Sequence, residues 1–274
     1  MFSSEELKQI LQDSDVIKNV SIIKESKSFK NVYQTVLQGE LIINQRESFV
    51  VYIAIPEKWY RDLVDIYVAD YNELDYMPHI DNKGKLCLFE TEGILIDQNL
   101  PGIMMQSLLR ARTILEQGFS GENKNDFINE FELYWAQLKD CRIAHLAVET
   151  DRKNRIVKGA IKKSSKGKRE NHMEYIKRCK KAPIYIGENV ESLKRWNLEK
   201  IPVMNIAYFV IFSEKYIFPP DIRKKLSIDY LNALLHYVPK EELAAIMSRS
   251  RQDRIVVFEI HQPSGQIHLV GVYI

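Results

Sequence analysis

Apolar residues first recur at helical spacing over residues 3–13, where Leu7, Ile10 and Leu11 fall on one face. Ser3 or Ser4 is placed to cap that helix, and Glu5 and Glu6 sit at the positive end of its dipole. The pattern then changes to runs rich in β-branched and aromatic residues: Val16–Ile23, Val32–Asn44, Phe49–Ile55 and Val64–Val68. Asn31, Asn44 and Pro56 mark turns between them. The gaps have hairpin length, whereas a parallel crossover needs about a dozen residues or more. An antiparallel four-stranded meander is therefore expected.

After Tyr71 the period is lost. The stretch YNELDYMPHIDNKGKLCLFETEGILIDQN carries turn signals at Pro78, Asp81–Gly84 and Glu92–Gly93, with short apolar pieces between. Long irregular segments in compact domains usually carry function. Two helices are expected next. Pro101 starts the first, which is lined by Ile103, Met104, Ser107, Leu108, Ala111 and Leu115 up to Gly118. Asn125 or Asp126 opens the second, with Phe127, Phe131, Tyr134, Trp135 and Leu138 as its stripe.

Beyond Thr150 the pattern becomes polar and basic, then resumes. Strands are expected near Ile184 and at Val203–Phe212, helices at Asp221–Tyr237 and Lys240–Arg249, and strands at Ile255–Ile260 and Gln266–Tyr273. The division drawn is a first domain at 1–149, a basic linker or docking segment at 150–181, and a small α+β domain at 182–274. The chain stops at VGVYI, inside an apolar strand pattern. That ending reads equally as a terminus tucked into a sheet or as a cut in a longer polypeptide.

Charge sharpens this division. The 274 residues hold 39 Lys plus Arg against 37 Asp plus Glu, a net of +2. Residues 1–150 contain 15 basic and 24 acidic side chains, whereas 152–181 contain 13 basic and 2 acidic. The local excess suits a solvated linker or a docking surface for an acidic partner. Tyr175 is the one aromatic residue among those cations, which argues against a nucleic-acid stacking platform. The composition excludes a disordered chain and a disulfide-stapled miniprotein. No apolar run reaches membrane-spanning length and the start is acidic, so a cytoplasmic protein without a membrane partner is expected.

Cys87, Cys141 and Cys179 are too few and too scattered for a disulfide framework, and no CxxC pair suggests zinc. No metal and no cofactor are expected. His145, His172, His236, His261 and His268 stand singly and read as structural or solvent-facing. Cys87 differs, because it sits among turns, eight residues after His79 and ten before Asp97. A thiolate attacks carbonyl carbon, and a nearby imidazole or turn amides can generate or stabilise it.

The segment MPHIDNKGKLCL resembles the active-site segment of ubiquitin-conjugating enzymes, where a His-Pro-Asn stretch precedes the catalytic cysteine in a Gly-x-hydrophobic-Cys-Leu context. Pro78 falls on the family's proline, Gly84 on its glycine, Cys87 on its cysteine and Leu88 on the leucine after it. His79 matches its asparagine and Met77 its histidine. The histidine at 79 resembles the bacterial branch, whose members accompany ThiF-type activating domains, some in anti-phage, CBASS-like operons that modify a nucleotide-signalling cyclase. The tryptophan that eukaryotic members carry after the cysteine is replaced by the stretch GILIDQNLP. The resemblance covers residues 3–145 and includes the order of elements.

It implies a UBC-like α+β fold: amino-terminal helix, four-stranded meander, irregular active-site segment and helices. It also implies a thioester relay in which Cys87 accepts a ubiquitin-like protein, or the carboxy terminus of a target, from an activating enzyme and passes it to an amine. That activating enzyme is supplied in trans or fused downstream, since the isolated glycines after residue 150 form no nucleotide-binding loop. The acceptor amine belongs to a target protein, a nucleotide cyclase being one candidate. His79 is implied as oxyanion donor, as base or as a structural residue. Asp97 is implied as its orienter or as a group acting on the incoming lysine. Two alternatives stand beside this reading: a catalytically silent module that binds a ubiquitin-like protein or an activating enzyme, and a Cys-His hydrolase or transferase using Cys87 and His79.

Overall fold

A computed structural model describes residues 2–23, 33–44, 47–89, 98–146, 152–161, 181–198, 201–249 and 255–274, the side chains of residues 195 and 249 excepted. Its contacts divide the chain into two units, Met1–Asp126 and Phe127–Ile274. The division drawn from composition fell at 149/150.

The first unit follows the order expected from its hydrophobic pattern. Helix α1 (Ser4–Gln12) is closed by a capping box in which Ser3 and Glu6 satisfy each other's backbone amides, and it buries Leu7 and Leu11. Strands β1 (Ile17–Ile22), β2 (Tyr33–Ile42), β3 (Ser48–Pro56) and β4 (Asp65–Val68) pair in sequence order, each antiparallel to its neighbour. Helix α2 (Leu100–Ser120) starts with Asn99 as cap and Pro101 in its first turn. Its buried stripe, including Met104, Leu108, Ala111 and Leu115, joins Leu37, Leu41, Val51, Ile53 and Ile66 in one core. The helix passes Gly118 and ends at Gly121, which takes the left-handed conformation at φ +75°.

The second unit corrects the expectation of a small α+β domain. It is built on a closed six-stranded barrel in the order β10-β5-β7-β6-β8-β9. The strands are β5 (Cys141–Leu146), β6 (Arg155–Ile161), β7 (Ile184–Gly187), β8 (Met204–Phe212), β9 (Ile255–His261) and β10 (Ile267–Tyr273). Pairs β5–β7 and β8–β9 are parallel and the other four antiparallel. Two of these strands escaped the pattern reading because polar residues interrupt them, Arg142 and His145 on β5 and Arg155 and Lys158 on β6. Ala144 and Val157 enter the barrel core beside Ile184, Ile186, Ile206, Val257 and Leu269. Arg155–Ile161 thus forms a barrel strand within the segment that charge marks as a connector.

The expected helix from residue 125 or 126 forms as two pieces, α3 (Asp126–Asn129) and α4 (Phe131–Gln137). Trp135 of α4 is fully buried and its indole N–H donates to the Gly271 carbonyl at 2.9 Å. The helix expected at Asp221–Tyr237 is shorter, α5 (Ile228–Leu235), and begins at a Ser227 cap. Upstream of it Asp221 accepts hydrogen bonds from both the amide and the guanidinium of Arg223, a local turn that competes with helix. Helix α6 (Lys240–Arg249) lies where expected. Glu259, in the apolar run of β9, is completely buried because the Tyr208 hydroxyl donates to one of its oxygens and His261 Nε2 lies 2.6 Å from the other. Among the described residues no helix is long and apolar enough to cross a membrane.

Candidate active site

Cys87 lies in the first unit on a strand-like return that runs back along β4. Asp81 makes the preceding turn, its Oδ1 accepting from the amides of Lys83 and Lys85 at 2.7 and 2.9 Å. Gly84 completes that turn at φ +81°. A Cβ there would meet the Val68 carbonyl oxygen and the Tyr71 ring, each at 2.6 Å, so glycine is required by space as well as by conformation. The return is then tied at each step. Val68 N–H donates to the Gly84 carbonyl at 2.8 Å, Leu86 N–H to the Ile66 carbonyl at 2.9 Å, and Cys87 N–H to the His79 carbonyl at 2.8 Å. Leu86 and Leu88 are buried on either side, while Cys87 itself is exposed. From α2, Arg110 Nε donates to the Leu88 carbonyl at 3.3 Å.

The approach to His79 is equally anchored. Met77 and Pro78 are buried, and Met77 packs its sulfur where a side chain on Gly118 would stand. His79 adopts φ +64°, a conformation few non-glycine residues take, and Ile80 bridges to Leu86 just beyond it. Beside that bridge the Cys87 amide meets the His79 carbonyl, which brings the two residues together through the main chain. His79 Nε2 lies 2.9 Å from Asp126 Oδ2; the imidazole is 15% exposed and the carboxylate 37%.

Beside the turn is a polar cluster. The Tyr33 hydroxyl donates to Asp65 at 2.6 Å and lies 2.7 Å from the Tyr67 hydroxyl, and Lys85 pairs with the other Asp65 oxygen at 2.8 Å. Burial disfavours the Lys85 ammonium, but Asp65, with Tyr67 and Asp81 behind it, outweighs that and raises its pKa above the ordinary value. Burial first, and then the Asp65 carboxylate, drive the Tyr33 hydroxyl far upward, so it stays protonated.

Of the three site residues expected from sequence, the fold brings Cys87 and His79 together, and Asp97 lies outside the described residues. Asp126 was read only as a helix-opening residue; its pairing with His79 spans 47 positions and left no local signal. Cys141 is buried in the second unit, where burial pushes its thiol pKa up to about 12, and Cys179 lies outside the described residues. Among the described residues no three His, Cys, Asp or Glu side chains converge as a metal site would.

No curated protein and no solved structure matches the chain. The family model of prokaryotic E2 family B matches residues 21–143, so a bacterial E2-family domain of UBC-like fold spans this part of the chain, with the turn bearing Cys87 inside it.

Proposed function

We propose that the first unit is a conjugating enzyme for a ubiquitin-like protein, with Cys87 as the thioester carrier. The observation that supports this is an exposed thiol on a return whose neighbours Leu86 and Leu88 are buried and whose main chain is bonded to β4 and to His79. Such a thiol reaches a large protein partner while its backbone stays fixed, which is the preorganisation that group transfer needs. In the first step the Cys87 thiolate attacks the thioester carbonyl presented by an activating enzyme, and that enzyme's cysteine leaves as thiolate. ATP is consumed by the activating enzyme. In the second step an amine attacks the Cys87 thioester, the C–N bond forms and the C–S bond breaks. The Cys87 amide is committed to the His79 carbonyl, so the donor that meets the oxyanion is a different group.

The test is a non-reducing gel of the protein incubated with ATP, an activating enzyme and its ubiquitin-like protein. Wild type forms an adduct that thiol removes, Cys87→Ala forms none, and Cys87→Ser forms an ester that resists thiol. A binding or scaffold module would give no adduct with active partners, and a Cys-His hydrolase would turn over an ester without them.

A further inference from the structure

We propose that the second unit carries a binding cleft for a primary ammonium group on a short aliphatic stem, a chemistry shared by lysine side chains and free alkylamines. Every residue lining the cleft belongs to that unit, so the inference is independent of the thioester reading of Cys87.

The cleft follows from two interruptions in regular structure. Pairing of β10 with β5 runs from Val272–Cys141 to Val270–Ile143 and stops there. Beyond that pair the Leu269 amide donates to a side chain of α4, Glu132 Oε1, at 2.9 Å. The other interruption is the break between α3 and α4 at Glu130. Just before it, Asn129 Oδ1 accepts from Gln266 Nε2 at 2.8 Å, which ties the end of α3 to the approach of β10. Around these two ties opens a cleft of about 310 Å³, walled by the break and α4, by Ile143 of β5 and by the start of β10. That is the small end of the ~300–1,000 Å³ usual for ligand sites.

Its wall offers two kinds of surface. Leu133 and Ile267 line it and remain 59% and 48% exposed, an apolar lining open to solvent. Glu130 and Glu132 supply carboxylates, and among the described residues that line the cleft none is a lysine or arginine. His268 lines it too, although the residue is only 6% exposed, and its Nε2 has no hydrogen-bond partner among the described residues. Burial lowers the pKa of that ring to about 4, so it adds no positive charge at pH 7. Native structures leave few buried polar atoms unpaired, and one in a cleft wall points to a partner supplied from outside the fold.

These surfaces select the ligand. An anion would be repelled by the carboxylates, and a wholly apolar molecule would desolvate them without compensation. An alkyl cation satisfies both surfaces, its stem lying along Leu133 and Ile267 while its head meets the carboxylates, as long cationic side chains do elsewhere. Glu132 already has one oxygen bonded to the Leu269 amide, which leaves the other rather than the pair that a guanidinium fork grips. An ammonium directs three separate donors to single acceptors and suits this wall better.

The test is a ligand-observed NMR titration of the full chain with n-butylammonium, its uncharged counterpart n-butanol, and n-butylguanidinium. n-Butylammonium is expected to bind with a Kd on the order of 1–10 mM, the range that so few atoms support. n-Butanol should bind on the order of 10-fold more weakly, the difference a charge-assisted hydrogen bond makes. Glu132→Gln keeps an oxygen for the Leu269 amide and should lower ammonium affinity to that of butanol, with butanol binding unchanged. Leu133→Ser should weaken both alike, and with the wild-type comparison it decides the matter should Glu132→Gln fail to fold. Displacement of n-butylammonium by a capped lysine tripeptide would identify a protein side chain as the occupant, and failure to displace it a free amine. Equal affinities for n-butylammonium and n-butanol, unchanged ammonium affinity in folded Glu132→Gln, tighter binding of n-butylguanidinium, or no binding at about 50 mM would each overturn the proposal.

Discussion

Replacing Gly84 by alanine tests whether the turn before Cys87 is held as tightly as its contacts indicate. Two terms act. At φ +81° an L side chain incurs a left-handed penalty of about 1–2 kcal/mol. The new Cβ would also lie 2.6 Å from the Val68 carbonyl oxygen, which is backbone in β4, and 2.6 Å from the Tyr71 ring. Relief requires moving the strand whose Val68 amide bonds the Gly84 carbonyl, and such overpacking costs about 1–3 kcal/mol. Reduced freedom of the unfolded chain returns about 0.4–1 kcal/mol. The net expectation is a loss of about 1–5 kcal/mol, centred near 3. Gly121 supplies the control: its φ of +75° is similar, but nothing lies within 4 Å of a Cβ built there. Gly121→Ala should therefore cost only the conformational term, about 1 kcal/mol. Hydrogen-exchange mass spectrometry in rising urea, read on peptides from residues 1–126, separates the two variants. If Gly84→Ala costs no more than Gly121→Ala, the contacts do not hold the turn and the argument for a rigid Cys87 fails.

Two further outcomes follow from the burial of single groups. Brief alkylation of native protein at about pH 8 should label exposed Cys87 and spare Cys141, whose thiol is buried with its pKa pushed to about 12. Peptide mass spectrometry reads this directly, and comparable labelling of Cys141 in folded protein would contradict its burial. In the second unit His268 is buried against Phe131, its Nε2 has no hydrogen-bond partner among the described residues, and burial lowers its pKa to about 4. The folded value lies below the unfolded one, about 6.5, so the unfolded chain binds the proton first as pH falls. Stability is complete above about pH 6.5 and is lost toward pH 4, by about 3 kcal/mol over the full shift. Denaturation of a Trp59→Phe protein, reported by Trp135 and Trp196, should show that slope, and His268→Phe should flatten it; an unchanged slope in His268→Phe would place the titrating group elsewhere.

What the sequence determined by itself was local. Side-chain period named α1, the four meander strands and α2 to within a few residues, since each buries one face and the pattern of that face is written in adjacent positions. The Asp81–Gly84 turn before Cys87 was legible for the same reason: a turn requires particular residues within four positions. Closure of the barrel was decided only in three dimensions. Charged and polar residues break the period of strands β5 and β6, which became strands because β10, β7 and β8 offered them partners. Glu259 could stand in a buried strand only because Tyr208 arrives from β8 to join His261, two residues along the same strand, in satisfying it. Asp126 is the same case at the candidate site. A hydrogen bond across 47 residues has no period and no spacing, so nothing along the chain could mark Asp126 as the partner of His79.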